Sequence, residues 1–301
     1  MENGCSKVFL TFDVELFFGD RSGTLKNCII EPTRKILSEL ERRLVFATFF
    51  IDASFLNYLS SNNLNAELRE IELLVKDIEA ANNEVALHVH PHWVDAATAR
   101  EGYSFSQMTN YSVASYKGDF YDHCIACHDL LASWLSHSSI TTFRAGGYCS
   151  QPFSAIEKLF RYTDISIDSS VVPGLKISTP PFSLDYSGVE VKSPYKFSEV
   201  NTMPVEWGGY TELPVTTISL SGMRRTIEKV KRMRRRDIRY GDGSGLRFDH
   251  NLANRFRKTE KVLTLDDASL TEVTKALSSR QYANVVSHPK NFSQNSLAVM
   301  R

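Results

Sequence analysis

The chain has 301 residues, of which 42% are hydrophobic and 23% charged, and 35 basic side chains balance 35 acidic ones to a formal net charge of zero. That length can bury a large core, and neutrality argues against wholesale binding to nucleic acid. No stretch approaches the roughly 18–20 uncharged apolar residues of a membrane-spanning helix.

The start, Met1-Glu2-Asn3-Gly4-Cys5-Ser6-Lys7, lacks the basic region and long apolar run of a secretory signal. The five cysteines are scattered and odd in number, which fits free thiols in a reducing compartment. The expectation is a cytoplasmic protein.

In chain order, strands and helices alternate. Residues 8–12 read as a short buried strand, and Pro32 precedes an amphipathic helix over 33–42. A second strand covers 47–51. Leu68, Ile71, Leu74, Val75 and Ile78 mark one face of a helix over 67–81, and 85–87 is a strand leading into histidines. Residues 121–135 read as helix, 140–143 as strand, 152–160 as helix and 165–167 as strand. A helix over 269–277 and a strand over 283–286 close the chain.

Repeated strand–helix units with no antiparallel block predict an α/β fold on a parallel sheet, open or closed into a barrel. Segments 94–120 and 172–211 are rich in Ser, Gly, Pro and aromatics. Both are expected to be active-site loops over a single domain spanning 1–301.

Five polar islands each end an apolar, β-rich run: Thr11-Phe12-Asp13-Val14-Glu15, His88-Val89-His90-Pro91-His92, Phe143-Arg144-Ala145-Gly146-Gly147-Tyr148, Glu212-Leu213-Pro214 and Ser287-His288-Pro289. Strand alternation puts Asp13 and Glu15 on one face, so two carboxylates can divide general-base and metal-ligand work. The plainer alternative is a strand-end acid capping the next turn.

Three imidazoles within five residues are costly to place together unless something neutralises or coordinates them. Metal binding is the expected reading, against a polar loop with incidental histidines. A strand would put all three on one face. A helical turn would pair His88 with His92, although Pro91 disfavours a regular helix.

Arg144 precedes Gly146-Gly147, where backbone N–H groups can approach a ligand closely, as an oxyanion site needs. Arg144 can also hold Asp13 ionised, or be a surface Arg before a turn. A lone strand-end histidine is commonly structural, but in this company His288 is a candidate general acid.

Together the islands resemble the polysaccharide deacetylases of the NodB-homology class, the family 4 carbohydrate esterases. The branch they are most similar to is the WbmS-like group associated with O-antigen gene clusters. That family opens with Thr-Phe-Asp-Asp, here Thr11-Phe12-Asp13-Val14, and its next strand often reads as Ala47-Thr48-Phe49-Phe50 does here. Its metal histidines are spaced four apart like His88 and His92. Its Phe-Arg-Ala-Pro-Tyr motif resembles 143–148, its Tyr-Asp-Ser-Ser segment resembles Ile167-Asp168-Ser169-Ser170, and its late His-Pro is matched by His288-Pro289. The resemblance spans 7–292.

This resemblance implies a distorted (β/α)7-type barrel, the NodB homology fold, with a divalent metal, zinc foremost. It implies Asp13 as the general base for water, His88 and His92 as metal ligands, and His288 as the acid that protonates a leaving amine. An oxyanion would meet the metal and a backbone N–H near Gly147 or Tyr148. The substrate would be an N-acylated sugar, or a nucleotide- or lipid-linked sugar, of surface-polysaccharide synthesis. Trp93, Gly147, Tyr148 and Glu212 complete the expected substrate-binding set, with the loop aromatics Trp93, Tyr103, Tyr111, Tyr116, Tyr148, Trp207 and Tyr210 suited to sugar rings.

The chain departs from the family at Val14, where the metal-binding second Asp is expected. Glu15, one residue along, is the candidate replacement; the alternative is that Asp13 itself binds the metal and the base is lost. His90 is an extra imidazole and the alternate to His92, and Tyr148 is displaced by one position. The rivals are a carbohydrate-binding relative without catalysis and a hydrolase of a non-sugar amide.

Two further segments call for a reading. Cys124-Ile125-Ala126-Cys127-His128 matches a c-type haem pattern, but such attachment needs export, and Ile125 and Leu131 fit the core face of a helix. Residues 223–239 carry Arg224, Arg225, Lys229, Lys231, Arg232, Arg234, Arg235, Arg236 and Arg239 against Glu228 and Asp237. Met223, Ile227 and Val230 are spaced for a helix, so the plain reading is a solvated helix face. The sharper one is a basic surface for diphosphate groups or a peripheral contact with anionic membrane. Residues 241–245 lack the Lys of a P-loop and read as a flexible turn.

Overall fold

The short apolar runs assemble into one eight-stranded sheet in a computed structural model of the chain, which describes residues 7–19, 21–99, 102–105, 109–178, 183–220, 238–245, 259–266 and 268–301. The strands are β1 Lys7–Val14, β2 Thr48–Asp52, β3 Glu84–Val89, β4 Thr142–Ala145, β5 Ile167–Asp168, β6 Tyr195–Phe197, β7 Tyr210–Glu212 and β8 Tyr282–Ser287. Their order is β6-β7-β5-β4-β3-β2-β1-β8, parallel throughout except at the β6–β7 pair.

Irregular chain bridges the two ends of the sheet. Leu213 N donates to Asp168 O at 2.8 Å and Val215 N to Val171 O at 2.8 Å, while Thr216 N donates to Asn284 O on β8 at 3.0 Å. Leu263 continues the bridge: its N–H reaches Thr216 O at 2.7 Å, and its carbonyl accepts Val286 N at 3.1 Å. The sheet therefore curls into a distorted α/β barrel, closed by residues that are not regular strand.

Helices α1 Glu31–Arg43, α2 Ala53–Ser61, α3 Asn65–Ala80, α4 Phe120–Ala132, α5 Glu157–Tyr162, α6 Leu270–Ser278 and α7 Gln294–Met300 accompany the sheet. Period-two alternation sorts the strand side chains into two sets. Phe12, Val14, Phe49, Ile51, Val85, Leu87, Phe143, Ala145 and Val285 join the main core with Ile36, Leu40, Leu74, Ile78 and Leu131 of the helices. Each fully buried side chain of this kind contributes about 1.5–3 kcal/mol. The alternate residues Thr11, Asp13, His88, Arg144 and Asn284 are also buried, and they hydrogen-bond to one another's neighbourhood across the barrel interior. The barrel thus has an apolar jacket and a polar axis.

Several elements differ from the sequence expectations. Segment 172–211 supplies strands β6 and β7 as well as loop, and their antiparallel pairing breaks the all-parallel expectation. Three-residue strands are too short to show a period, and β7 finds its parallel partner in β5, some way back in sequence. Helix α2 was not foreseen; Asp52, ending β2, starts it by accepting Phe55 N at 3.4 Å. The helix expected over 152–160 divides into a 3-10 turn, Phe153–Ala155, and α5. Segment 94–120 carries a ribbon pairing Ala97–Thr98 with Tyr103–Ser104.

In α4 the core face is Cys124, Cys127 and Leu131, with Ile125 only partly buried. Cys28, Cys124, Cys127 and Cys149 are free thiols. Of the basic segment 223–239, residues 223–237 lie outside the described residues. Among the described residues, no helix is long and apolar enough to cross a membrane.

Candidate active site and metal centre

Arg144 is the axis of the site. It lies in register with His88 on the adjacent strand and is 0% exposed. Its Nη1 donates to Asp13 Oδ1, its Nε to Ser169 O at 2.9 Å, and its Nη2 to Thr11 Oγ1 at 3.1 Å and Ser169 Oγ at 2.9 Å. The guanidinium also lies 3.9 Å from the centroid of the Phe50 ring. A planar fork with so many partners fixes the orientation of Asp13 as well as compensating its charge. Asn284 locks the arrangement by donating to Ser169 Oγ at 2.9 Å.

Glu15 lies one residue beyond the end of β1, with Val14 turned into the core and Glu15 back in the interior beside Asp13. Its Oε2 is 2.5 Å from His90 Nε2 and 3.2 Å from His88 Nε2. Its Oε1 accepts Lys290 Nζ at 2.7 Å. Burial opposes ionisation of Glu15, but Lys290, His90 and His88 outweigh it and hold the carboxyl well below its usual range. Burial likewise favours neutral His88, yet the charges of Asp13, Glu15 and Asp52 prevail and its pKa is raised.

The expected pairing of His88 with His92 is not the one that the side chains form around Glu15. His90 continues the strand alternation of His88. Pro91 then opens a 3-10 turn, Pro91–Asp95, which takes His92 out of that alternation. The His92 ring stacks on Tyr111, with centroids 5.1 Å apart and planes 11° apart. Neither of its ring nitrogens has a hydrogen-bond partner among the described residues, and burial holds its pKa well below the usual value, leaving a neutral imidazole.

His288 Nε2 stands 3.7 Å from Glu15 Oε1 and 3.9 Å from Asp13 Oδ2. Its Nδ1 is 2.9 Å from Asp266 Oδ2, and its backbone N–H donates to Asp266 Oδ1 at 2.9 Å. Burial disfavours the imidazolium, but Asp266, Glu15 and Asp13 more than compensate and raise its pKa. At 24% side-chain exposure it is the most open residue of the group, so a ligand would approach from its side.

The remaining expected residues are placed differently. Trp93 is 1% exposed, donates its indole N–H to Asp52 Oδ2 at 2.7 Å and stacks on Phe55, so it belongs to the aromatic core. Glu212 is also fully buried, in register with Asp168, and its Oε1 accepts Val171 N at 3.0 Å. Burial and the neighbouring Asp168 push the Glu212 carboxyl well up, which keeps it protonated as a strut between strands. Gly147 and Tyr148 adopt positive φ, 58° and 63°, and are partly exposed beside the site.

Sequence reasoning did not find Lys290 or Asp266. Lys290 sits two residues past His288 and could have been included with that island. Asp266 carries no local signal, since only the fold brings it against His288.

Whether these residues suit a metal can be judged from their donors. Glu15, His88 and His90 offer ligand atoms all within 4.8 Å of one another, the one such group among the described residues. His88 Nδ1 is engaged by the Arg144 carbonyl at 2.7 Å, which fixes the tautomer with Nε2 as the free lone pair when the ring is neutral. Two imidazole nitrogens facing one carboxylate oxygen are mutually repulsive unless a proton or cation lies among them. Two His and one Glu is also a ligand set that zinc uses in open catalytic sites. The residues fit a divalent ion.

No protein-family model and no curated protein matches the chain. Solved structures are similar in backbone. One, assigned as a polysaccharide deacetylase from Mycobacterium smegmatis, is 15% identical over 99% of this chain and 81% of its own, with a TM-score of 0.48. The family 4 carbohydrate esterase from Streptomyces lividans, solved with acetate, is 11% identical over 98% and 84%, with a TM-score of 0.41. A family 4 pseudoenzyme from Bacillus anthracis is 16% identical over 56% and 44%, with a TM-score of 0.33. At such distances the chemistry below rests on the side chains of this chain.

Proposed function

We propose that this chain is a metal-dependent deacetylase that hydrolyses the amide of an N-acylated sugar, acting inside the cell on an intermediate of surface-polysaccharide synthesis. The observation that carries this reading is the convergence of Glu15, His88 and His90 within 4.8 Å, flanked by Asp13 on Arg144 and His288 on Asp266. Glu15, His88 and His90 would hold the ion, zinc foremost. When bound, such an ion polarises an acyl carbonyl and makes water more acidic.

The chain's own residues supply the proton chemistry. Asp13, oriented by its contact with Arg144, accepts the proton of the attacking water. His288, held by Asp266 with Nε2 toward the interior, protonates the leaving amine nitrogen. Its position at the open side suits contact with the leaving sugar. The buried surroundings exclude bulk water and strengthen each charge interaction. The resemblance carried by the sequence islands supports the finer reading of O-antigen synthesis, and the basic segment 223–239 that of a nucleotide- or lipid-linked sugar.

Elemental analysis of wild type and His88→Ala, paired with acetate release from N-acetylated sugars, tests the proposal. Near-stoichiometric zinc in wild type, lost in the variant, with acetate release abolished by Asp13→Asn, is the expected result. Wild-type protein that takes up no divalent ion on reconstitution would overturn it.

A further inference from the structure

Lys290 carries an ammonium group into the centre of the site. It is 6% exposed, and Nζ donates to Glu15 Oε1 at 2.7 Å and to Leu16 O at 2.6 Å. The rings of Phe17 and Phe18 lie 5.0 and 4.9 Å from it, and its own carbonyl accepts Gly241 N at 3.1 Å. A lysine this buried is rare without a dedicated partner, and its partner here is a candidate metal ligand.

The two oxygens of Glu15 divide their contacts: Lys290 takes Oε1, while His88 and His90 face Oε2. Glu15 lies outside the β1 ladder and reaches the histidines on a side chain with three rotatable bonds, so without a second anchor its carboxylate is free to turn away. Asp13 is committed to Arg144.

We propose that Lys290 is a positioning residue that makes Glu15 a metal ligand, by gripping one carboxylate oxygen so that the other is presented to His88 and His90. Glu15 and Lys290 then act as one unit, joined across 275 positions of sequence. The inference rests on the metal-centre reading above. It also opposes the simplest electrostatic expectation, in which a resident ammonium repels an incoming cation and its removal tightens metal binding.

The test measures zinc affinity by chelator competition, and the visible spectrum of the cobalt-substituted protein, for wild type, Lys290→Met and Lys290→Arg. Lys290→Met is expected to weaken zinc binding by about 10–100-fold, as loss of a partner that orients a ligand does, and to change the cobalt spectrum. Lys290→Arg, which keeps the charge and donors, should restore both. On a Glu15→Gln background, Lys290→Met should cost nothing further. If Lys290→Met does not fold, as circular dichroism would show, Lys290→Gln is measured in its place with the same expectation. Unchanged or tighter zinc binding with a wild-type cobalt spectrum overturns the proposal while leaving the metal centre standing. A wild type that binds no zinc overturns both.

Discussion

Gly146 lies flat against the imidazole of His90: a Cβ added to it would sit 2.4 Å from His90 Nδ1. The next residue does the same for Tyr111, whose hydroxyl would be 2.5 Å from a Cβ on Gly147. The paired glycines after Arg144 are therefore seats for two side chains of the site.

Gly146→Ala is accordingly expected to push His90 off Glu15. Zinc affinity should fall at least about tenfold, with a stability loss of about 1–3 kcal/mol from overpacking. Titration of His90→Ala and His92→Ala beside it separates the two histidines: the first should lose metal and the second keep it. The reverse pattern would return the ligand role to His92.

Asp266 acts on His288 from behind. Replacing it with Asn removes the negative charge that favours the imidazolium, so the His288 pKa should fall. A general acid must be protonated to work, and activity should therefore be lost at lower pH on the alkaline side than in wild type. At fixed neutral pH, kcat should drop by about tenfold or more, with zinc content unchanged. Identical pH–rate profiles for wild type and Asp266→Asn would remove His288 from the acid role.

Placing at position 14 the Asp of the deacetylases that the sequence resembles should not help. Val14 is 2% exposed and packs in the apolar jacket with Phe12 and Leu16, on the opposite face from Asp13. Val14→Asp would bury an unpaired carboxylate among hydrocarbons and is expected to cost about 3–5 kcal/mol. Urea unfolding with metal analysis checks this; tighter zinc binding at undiminished stability would show that position 14 does reach the ion.

His123 on α4 sets an acid limit on stability. Its Nε2 lies 2.9 Å from Ser54 Oγ on α2, and burial lowers its pKa from 6.5 to about 4. The unfolded chain binds this proton first as pH falls, so the contribution is complete above pH 6.5 and is lost between 6.5 and about 4. That gap corresponds to about 3 kcal/mol at most. In His123→Gln the unfolding midpoint should vary less with pH across this window, and an unaltered pH dependence would sink the assignment.

Local pattern carried much of the site. A period of two is enough to turn Asp13 and Glu15 to one side of β1 and Val14 to the other, and strand ends followed by polar islands mark where catalytic groups can sit, because a curled sheet gathers the ends of its strands. The strands and helices that the pattern does predict, the divided 152–160 helix apart, lie within a few residues of those observed for the same reason: apolar periodicity is a local property.

What the tertiary structure decided is every relationship that depends on how side chains meet. The choice of His90 over His92 beside Glu15 turns on Pro91 opening a 3-10 turn and on a glycine that leaves room for a ring. Lys290 reaches Glu15 because β8 pairs with β1 and brings the last island against the first, and Asp266 reaches His288 because residues 263–265 run beside the end of β8. Closure of the barrel through Leu213, Val215, Thr216 and Leu263 has no period to announce it. Strand periodicity constrains which way a side chain points, but the partner it finds depends on chain hundreds of residues away, and that is settled only when the sheet closes.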